Sequence, residues 1–198
     1  NSGEERAYAA LQKSFERLGT DYIDLVLVHQ PFGDYYGTYR ALERAYTEGT
    51  VRSIGVSNFY QDKFYDLAHH CRIIPMVNQL EANVFSQQTE MREMMNEYGT
   101  KAMAWGPIAQ GKENFTENEV LTETGKRYGK TAVQTALRFL AQEGIPAIPK
   151  SSKAERMKEN IDIFDFEFTE EEMNSLRTLN KADGGTRDYT SLPYVKRL

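Results

Sequence analysis

Cysteine is almost absent. Cys71 stands alone among 198 residues, so no disulfide can form within the chain. A lone thiol suits a reducing compartment. Histidine is scarce too. His29, His69 and His70, with the one cysteine, offer no ligand set at metal-binding spacing. His69, His70 and Cys71 read instead as helix-end residues. Basic residues are the minority, 24 Lys and Arg against 29 Asp and Glu, for a formal charge of −5. Such a surface does not hold nucleic acid by its phosphates, although one local basic pocket is compatible with it. No apolar run approaches the roughly 20 residues that span a bilayer. No signal-peptide pattern opens the chain. The expectation is a cytoplasmic protein with neither a membrane nor a nucleic-acid partner. No low-complexity segment or linker interrupts it, and the length suits a single domain, 1–198.

What is present is a pattern repeated five times. A short apolar run ends abruptly in groups that could do chemistry. Residues 23–28 end in His29-Gln30-Pro31, and 53–56 end in Ser57-Asn58. Residues 73–78 end in Gln79 and Glu81, 101–104 in Trp105-Gly106-Pro107, and 145–148 in Pro149-Lys150-Ser151. Helical periodicity fills the intervals. Helices are predicted at 4–18, 38–48, 60–70, 86–98, 118–128, 131–143, 152–160 and 169–180. Ser2 with Glu5, Thr131 with Gln134, Ser152 with Glu155 and Thr169 with Glu172 have capping-box spacing. Residues 107–117 read as the longest polar loop. Near-continuous apolar strands alternating with helices imply a parallel sheet buried on both faces. An open doubly wound sheet and part of a closed (β/α)8 barrel both satisfy this. In either, working residues sit at the carboxyl ends of the strands.

Each ending has a plain structural reading beside the functional one. His29 sits at the edge of an apolar run, where a neutral imidazole can bond a carbonyl or move a proton. It can equally be tied to a neighbouring backbone group. Ser57, Asn58 and Gln79 offer the donors and acceptors that a carboxamide needs. Taken alone, Asn58 is the better candidate for a helix cap. Trp105 can stack on a flat ligand ring, though an aromatic there is more often core. Lys150, Ser151, Ser152 and Arg156 gather two cations and two hydroxyls around a helix start, which favours a phosphate. The plain reading is a solvated cap.

Taken in order, the stretches Leu25-Val26-Leu27-Val28-His29-Gln30-Pro31, Ile54-Gly55-Val56-Ser57-Asn58-Phe59, Val77-Asn78-Gln79-Leu80-Glu81 and Ile148-Pro149-Lys150-Ser151 through Arg156 to Glu159-Asn160 closely resemble the aldo-keto reductase family. The chain resembles bacterial members that act on diketogluconate-type or other small carbonyl substrates. The resemblance implies an α/β fold, a (β/α)8 TIM barrel of which this chain supplies about five βα units. It implies an oxidoreductase that reduces a small aldehyde or ketone with NADPH by hydride transfer. His29 takes the place of the histidine that orients the substrate carbonyl. Ser57, Asn58 and Gln79 match the nicotinamide carboxamide contacts, and Trp105 the aromatic that stacks on the nicotinamide. Gly106 and Ile108 match positions along the pyrophosphate. Lys150, Ser151 and Arg156 match the 2′-phosphate pocket, and Glu159 and Asn160 the adenine contacts. Residues 107–115 are expected to cover the cofactor. The tail, 182–198, is expected near the substrate mouth through Tyr189, Leu192 and Tyr194.

The family's catalytic Asp, Tyr and Lys have no counterpart here. They are expected in an N-terminal segment that this chain lacks, and the chain alone is expected to be inactive. A complete barrel is expected to be monomeric. Five strands leave two open edges, so the missing strands come from elsewhere, the fragment self-associates, or the sequence is truncated. Another reading is a non-catalytic NADP(H)-binding or scaffold half-barrel. A third is an unrelated phosphate-binding barrel such as an isomerase.

Overall fold

The computed structural model describes residues 3–111 and 113–181. The elements are α1 (Glu4–Leu18), β1 (Val26–Val28), α2 (Tyr35–Thr47), β2 (Ile54–Ser57), α3 (Gln61–His70), β3 (Val77–Glu81), α4 (Thr89–Glu97), β4 (Lys101–Trp105), α5 (Glu119–Lys126), α6 (Ala132–Gln142), β5 (Ala147–Ile148), α7 (Ala154–Ile161) and α8 (Glu170–Arg177). The strands lie in the sheet in chain order, β1-β2-β3-β4-β5. Strands β1 and β2, β2 and β3, and β4 and β5 pair in parallel, with Leu27 opposite Gly55, Ser57 opposite Gln79 and Trp105 opposite Ile148.

Two compact units make up the described chain, 3–80 with 90–102 and 81–89 with 103–181. In the first, Leu11, Tyr39, Leu42, Ile54, Val56, Phe64, Leu67, Leu80 and Met95 form one buried cluster. All four residues of β2 are buried, as expected of a strand covered on both faces. Gly55 in its middle is required by space. A Cβ there would lie 2.2 Å from the Val77 carbonyl oxygen and 2.9 Å from Leu27 Cδ2. In the second unit, Leu121, Ala136, Leu137, Phe139, Leu140 and Leu176 are buried. Thr131 and Gln134 form a reciprocal capping box at α6, and Thr169 and Glu172 form another at α8.

The structure corrects several sequence expectations. Helix α2 begins at Tyr35 because Asp34 accepts the Gly37 N–H at 2.7 Å. Ser152 does not cap α7. The N-cap is Lys153, without a side-chain bond, and its N–H donates to Ser151 Oγ at 3.1 Å. The described residues among 107–117 are not loop throughout. They hold 3₁₀ turns at Ala109–Gly111 and Phe115–Glu117, and Phe115 is buried. Helix α8 ends at Arg177. Ser2 and the tail residues Tyr189, Leu192 and Tyr194 lie outside the described residues.

Candidate functional site

In the first unit, the ends of β1, β2 and β3 are knitted together by Asn58. Its Nδ2 donates to the His29 carbonyl at 3.3 Å and to Ser57 Oγ at 3.0 Å. Its backbone N–H donates to the Gln79 carbonyl at 2.9 Å. Ser57 Oγ donates to that same carbonyl at 3.0 Å. Asn58 is therefore not the cap of α3, whose N-cap is Tyr60. A buried asparagine at φ 62° is held in a left-handed backbone by these bonds. Asn tolerates that region better than most residues, and such strain gathers at binding sites. The Ser57 hydroxyl proton is spent on the strand, so toward a ligand it offers lone pairs. Gln79 is half-buried beside it. His29 is exposed at the end of β1 rather than at the edge of a dry core. Its ring makes no hydrogen bond to another of the described residues.

In the second unit, β4 ends at the half-buried Trp105, whose carbonyl accepts the Ala82 N–H at 3.2 Å. Gly106 follows at φ 61°, a backbone region that suits glycine. Ala109 and Gln110 are also left-handed, at 47° and 55°. The turn between them closes with Ala109 N–H on Gly106 O at 2.8 Å and Gly111 N–H on Ile108 O at 3.1 Å. After β5, a cavity of about 320 Å³ is lined by Ile108, Val133, Lys150, Ser151, Ser152, Arg156, Glu159 and Asn160. Neither Lys150 nor Arg156 is paired with a carboxylate among the described residues. Two such cations, two hydroxyls and the uncapped first turn of α7 are the groups with which a protein could hold an anion. Seven of these eight residues were named from sequence as site positions or their neighbours. Val133 was missed, because it lies on α6 and only tertiary packing brings it there. Glu159 is not fully free for a ligand, since its Oε1 accepts Thr131 Oγ1 at 2.7 Å.

The aldo/keto reductase family model matches residues 2–181. The chain belongs to that family. It is 43% identical over 182 residues to glyoxal reductase of Bacillus subtilis (strain 168), covering 91% of this chain and 65% of the relative. Among solved structures, MGS-M4, an aldo-keto reductase from a Medee basin deep-sea metagenome library, matches with a TM-score of 0.91 at 35% identity. That match covers 96% of this chain and 71% of the other. An aldo-keto reductase of Bombyx mori in complex with NADP matches with a TM-score of 0.82 at 33% identity, covering 90% and 64%. The chain thus spans about two thirds of the length of the relatives that it matches. Those relatives are (β/α)8 barrels, and this member of the family supplies five parallel strands with alternating helices. Among the described residues no helix is long and apolar enough to cross a membrane, and no group of three or more His, Cys, Asp or Glu could hold a metal.

Proposed function

We propose that the protein reduces small aldehydes or ketones to alcohols with NADPH. The observation that carries this reading is the cavity of Lys150, Ser151, Ser152 and Arg156 beside Glu159 and Asn160. NADP(H) fits it. A 2′-phosphate needs cations not already neutralised, and Lys150 and Arg156, paired with no carboxylate among the described residues, supply them. The relative solved with NADP supports the choice of cofactor, and the relative named a glyoxal reductase supports a small carbonyl substrate.

In this reading Lys150, Ser151 and Arg156 hold the 2′-phosphate, and Glu159 and Asn160 meet the adenine. Gly106 and Ile108 run along the pyrophosphate. Ser57, Asn58 and Gln79 hold the nicotinamide carboxamide, and Trp105 packs its indole face on the ring. NADPH, when bound, supplies the hydride that reduces the carbonyl. His29, exposed at its strand end, donates a hydrogen bond to the carbonyl oxygen and orients it. The proton for the forming alkoxide comes from a tyrosine acid, assisted by an aspartate and a lysine, outside these 198 residues. The chain by itself is then a cofactor-binding piece without turnover.

The test is loss of NADPH absorbance with small aldehydes and ketones, using the full-length protein and the 198-residue chain in parallel. Turnover by the full-length protein alone is the expected result. Turnover by the 198-residue chain would show that the acid lies within it. Nucleotide binding by a full-length protein that turns over no carbonyl would favour a non-catalytic NADP(H)-binding role.

A further inference from the structure

Helix α7 carries Arg156, Glu159 and Asn160 of the cavity, yet none of its own residues is buried. Met157 is 49% exposed and Ile161 71% exposed. An isolated helix of this length is marginal in water, and tertiary contacts must hold it. Here the holding contacts are polar and converge on its C-terminal end. Gln134, buried at the start of α6, donates from Nε2 to the Glu159 carbonyl at 3.2 Å and the Asp162 carbonyl at 2.8 Å. Its Oε1 accepts the Thr131 N–H at 3.0 Å. Thr131 Oγ1 donates to Glu159 Oε1 at 2.7 Å. Lys130 Nζ donates to the Asp162 carbonyl at 3.2 Å and pairs with Asp162 Oδ2 at 2.9 Å and Asp165 Oδ1 at 2.8 Å. The Lys130 side chain is only 8% exposed, and its ammonium lies 5.4 Å over the Phe166 ring.

We propose that Lys130, Thr131 and Gln134 form a positioning clamp that fixes α7, and thereby sets how strongly Arg156 discriminates for a 2′-phosphorylated adenine nucleotide. The clamp touches no ligand. It makes the capping box of one helix serve as the mooring of the next. A moored α7 presents Arg156 in place before the nucleotide arrives. In a loosened α7, Arg156 must be ordered as it meets the 2′-phosphate, a cost that a nucleotide without that phosphate does not meet, so the preference falls. Contacts to the adenine are common to both nucleotides and cancel in the ratio of affinities. The phosphate contact does not cancel.

The inference rests on the reading of this cavity as the 2′-phosphate site, and the test separates the two. Full-length protein is titrated calorimetrically with 2′,5′-ADP and with 5′-AMP. The wild-type protein is expected to prefer 2′,5′-ADP. Gln134→Leu and Lys130→Met are each expected to cut that preference about fivefold or more, on the scale of a lost charge-assisted contact, whereas Lys130→Arg keeps most of it. In an Arg156→Leu background, the effect of Gln134→Leu on the ratio should largely vanish, because neighbours that act together are not additive. Lys130→Met leaves the capping box intact, so it serves where Gln134→Leu does not fold. An unchanged ratio in both clamp variants overturns the proposal. So does a loss from Gln134→Leu that is undiminished in the Arg156→Leu background, since a purely structural role would act there equally. Absence of any preference in the wild-type protein overturns the cavity reading, and the clamp with it.

Discussion

Replacing Arg156 by leucine isolates the phosphate contact. Arg156 is exposed on the first turn of α7 and lines the cavity with Lys150. It is paired with no carboxylate of the described residues, so the substitution breaks no ion pair among them. A hydrogen bond to a charged group contributes about 1.5–3 kcal/mol. Exposure and salt reduce that toward the lower end, so about 1.5–2 kcal/mol is expected. This corresponds to a roughly 10- to 30-fold rise in the Kd for NADPH. NADH has no 2′-phosphate, and its Kd should change less than about twofold on the same argument. Lys150→Met should show the same selectivity with a smaller loss, because a lysine acts as a point charge without the bidentate fork. The assay is nucleotide fluorescence titration of the full-length protein at two salt concentrations. The wild-type preference for NADPH should narrow as salt rises. Equal weakening of NADPH and NADH by Arg156→Leu would refute the reasoning, because the residue would then serve the fold or the shared part of the nucleotide.

Other consequences concern stability and reactivity. Burial pushes the Glu172 carboxyl up, but hydrogen bonds from Tyr128, the Thr169 N–H and Arg127 outweigh it and hold the pKa below the usual 4.5. Such a group stabilises the fold above its unfolded pKa, and that contribution is lost as pH falls through the folded value. Denaturation midpoints should therefore drop as pH falls below about 4.5, with a shallower drop in Glu172→Gln; identical profiles would contradict this. Gly55→Ala forces a Cβ against the Val77 carbonyl oxygen and should cost about 1–3 kcal/mol by overpacking. A variant as stable as the parent in urea would show that the strands part freely. Burial, with the Glu43 charge, pushes the Cys71 thiol up to about 11. A disulfide reagent at neutral pH should label it slowly in the native state and rapidly in denaturant, and rapid native labelling would be at odds with the structure.

Local signals were legible where the chemistry is local. The Thr131–Gln134 and Thr169–Glu172 spacings form the capping boxes they suggest, and Gly19 closes α1 in the left-handed region. The start of α2 was hidden because Tyr35, Tyr36 and Gly37 are poor helix formers, and the side chain of Asp34 overrides them. Asn58 resembles a cap in sequence. Its left-handed backbone instead turns its amide toward His29 O and Ser57 Oγ, partners set by strand register rather than by spacing. The cavity after β5 could be read almost in full, since Lys150, Ser151, Ser152, Arg156, Glu159 and Asn160 lie within eleven positions of one another. The mooring of α7 could not be, because it joins residues 130–134 to 159–165 across a strand.

The most direct test of the account is a crystal structure of the full-length protein with NADP⁺. The adenosine 2′-phosphate should lie in contact with Lys150, Ser151 and Arg156, and the carboxamide within hydrogen-bonding distance of Asn58 and Gln79. A nucleotide bound elsewhere, or none at saturating concentration, would contradict it.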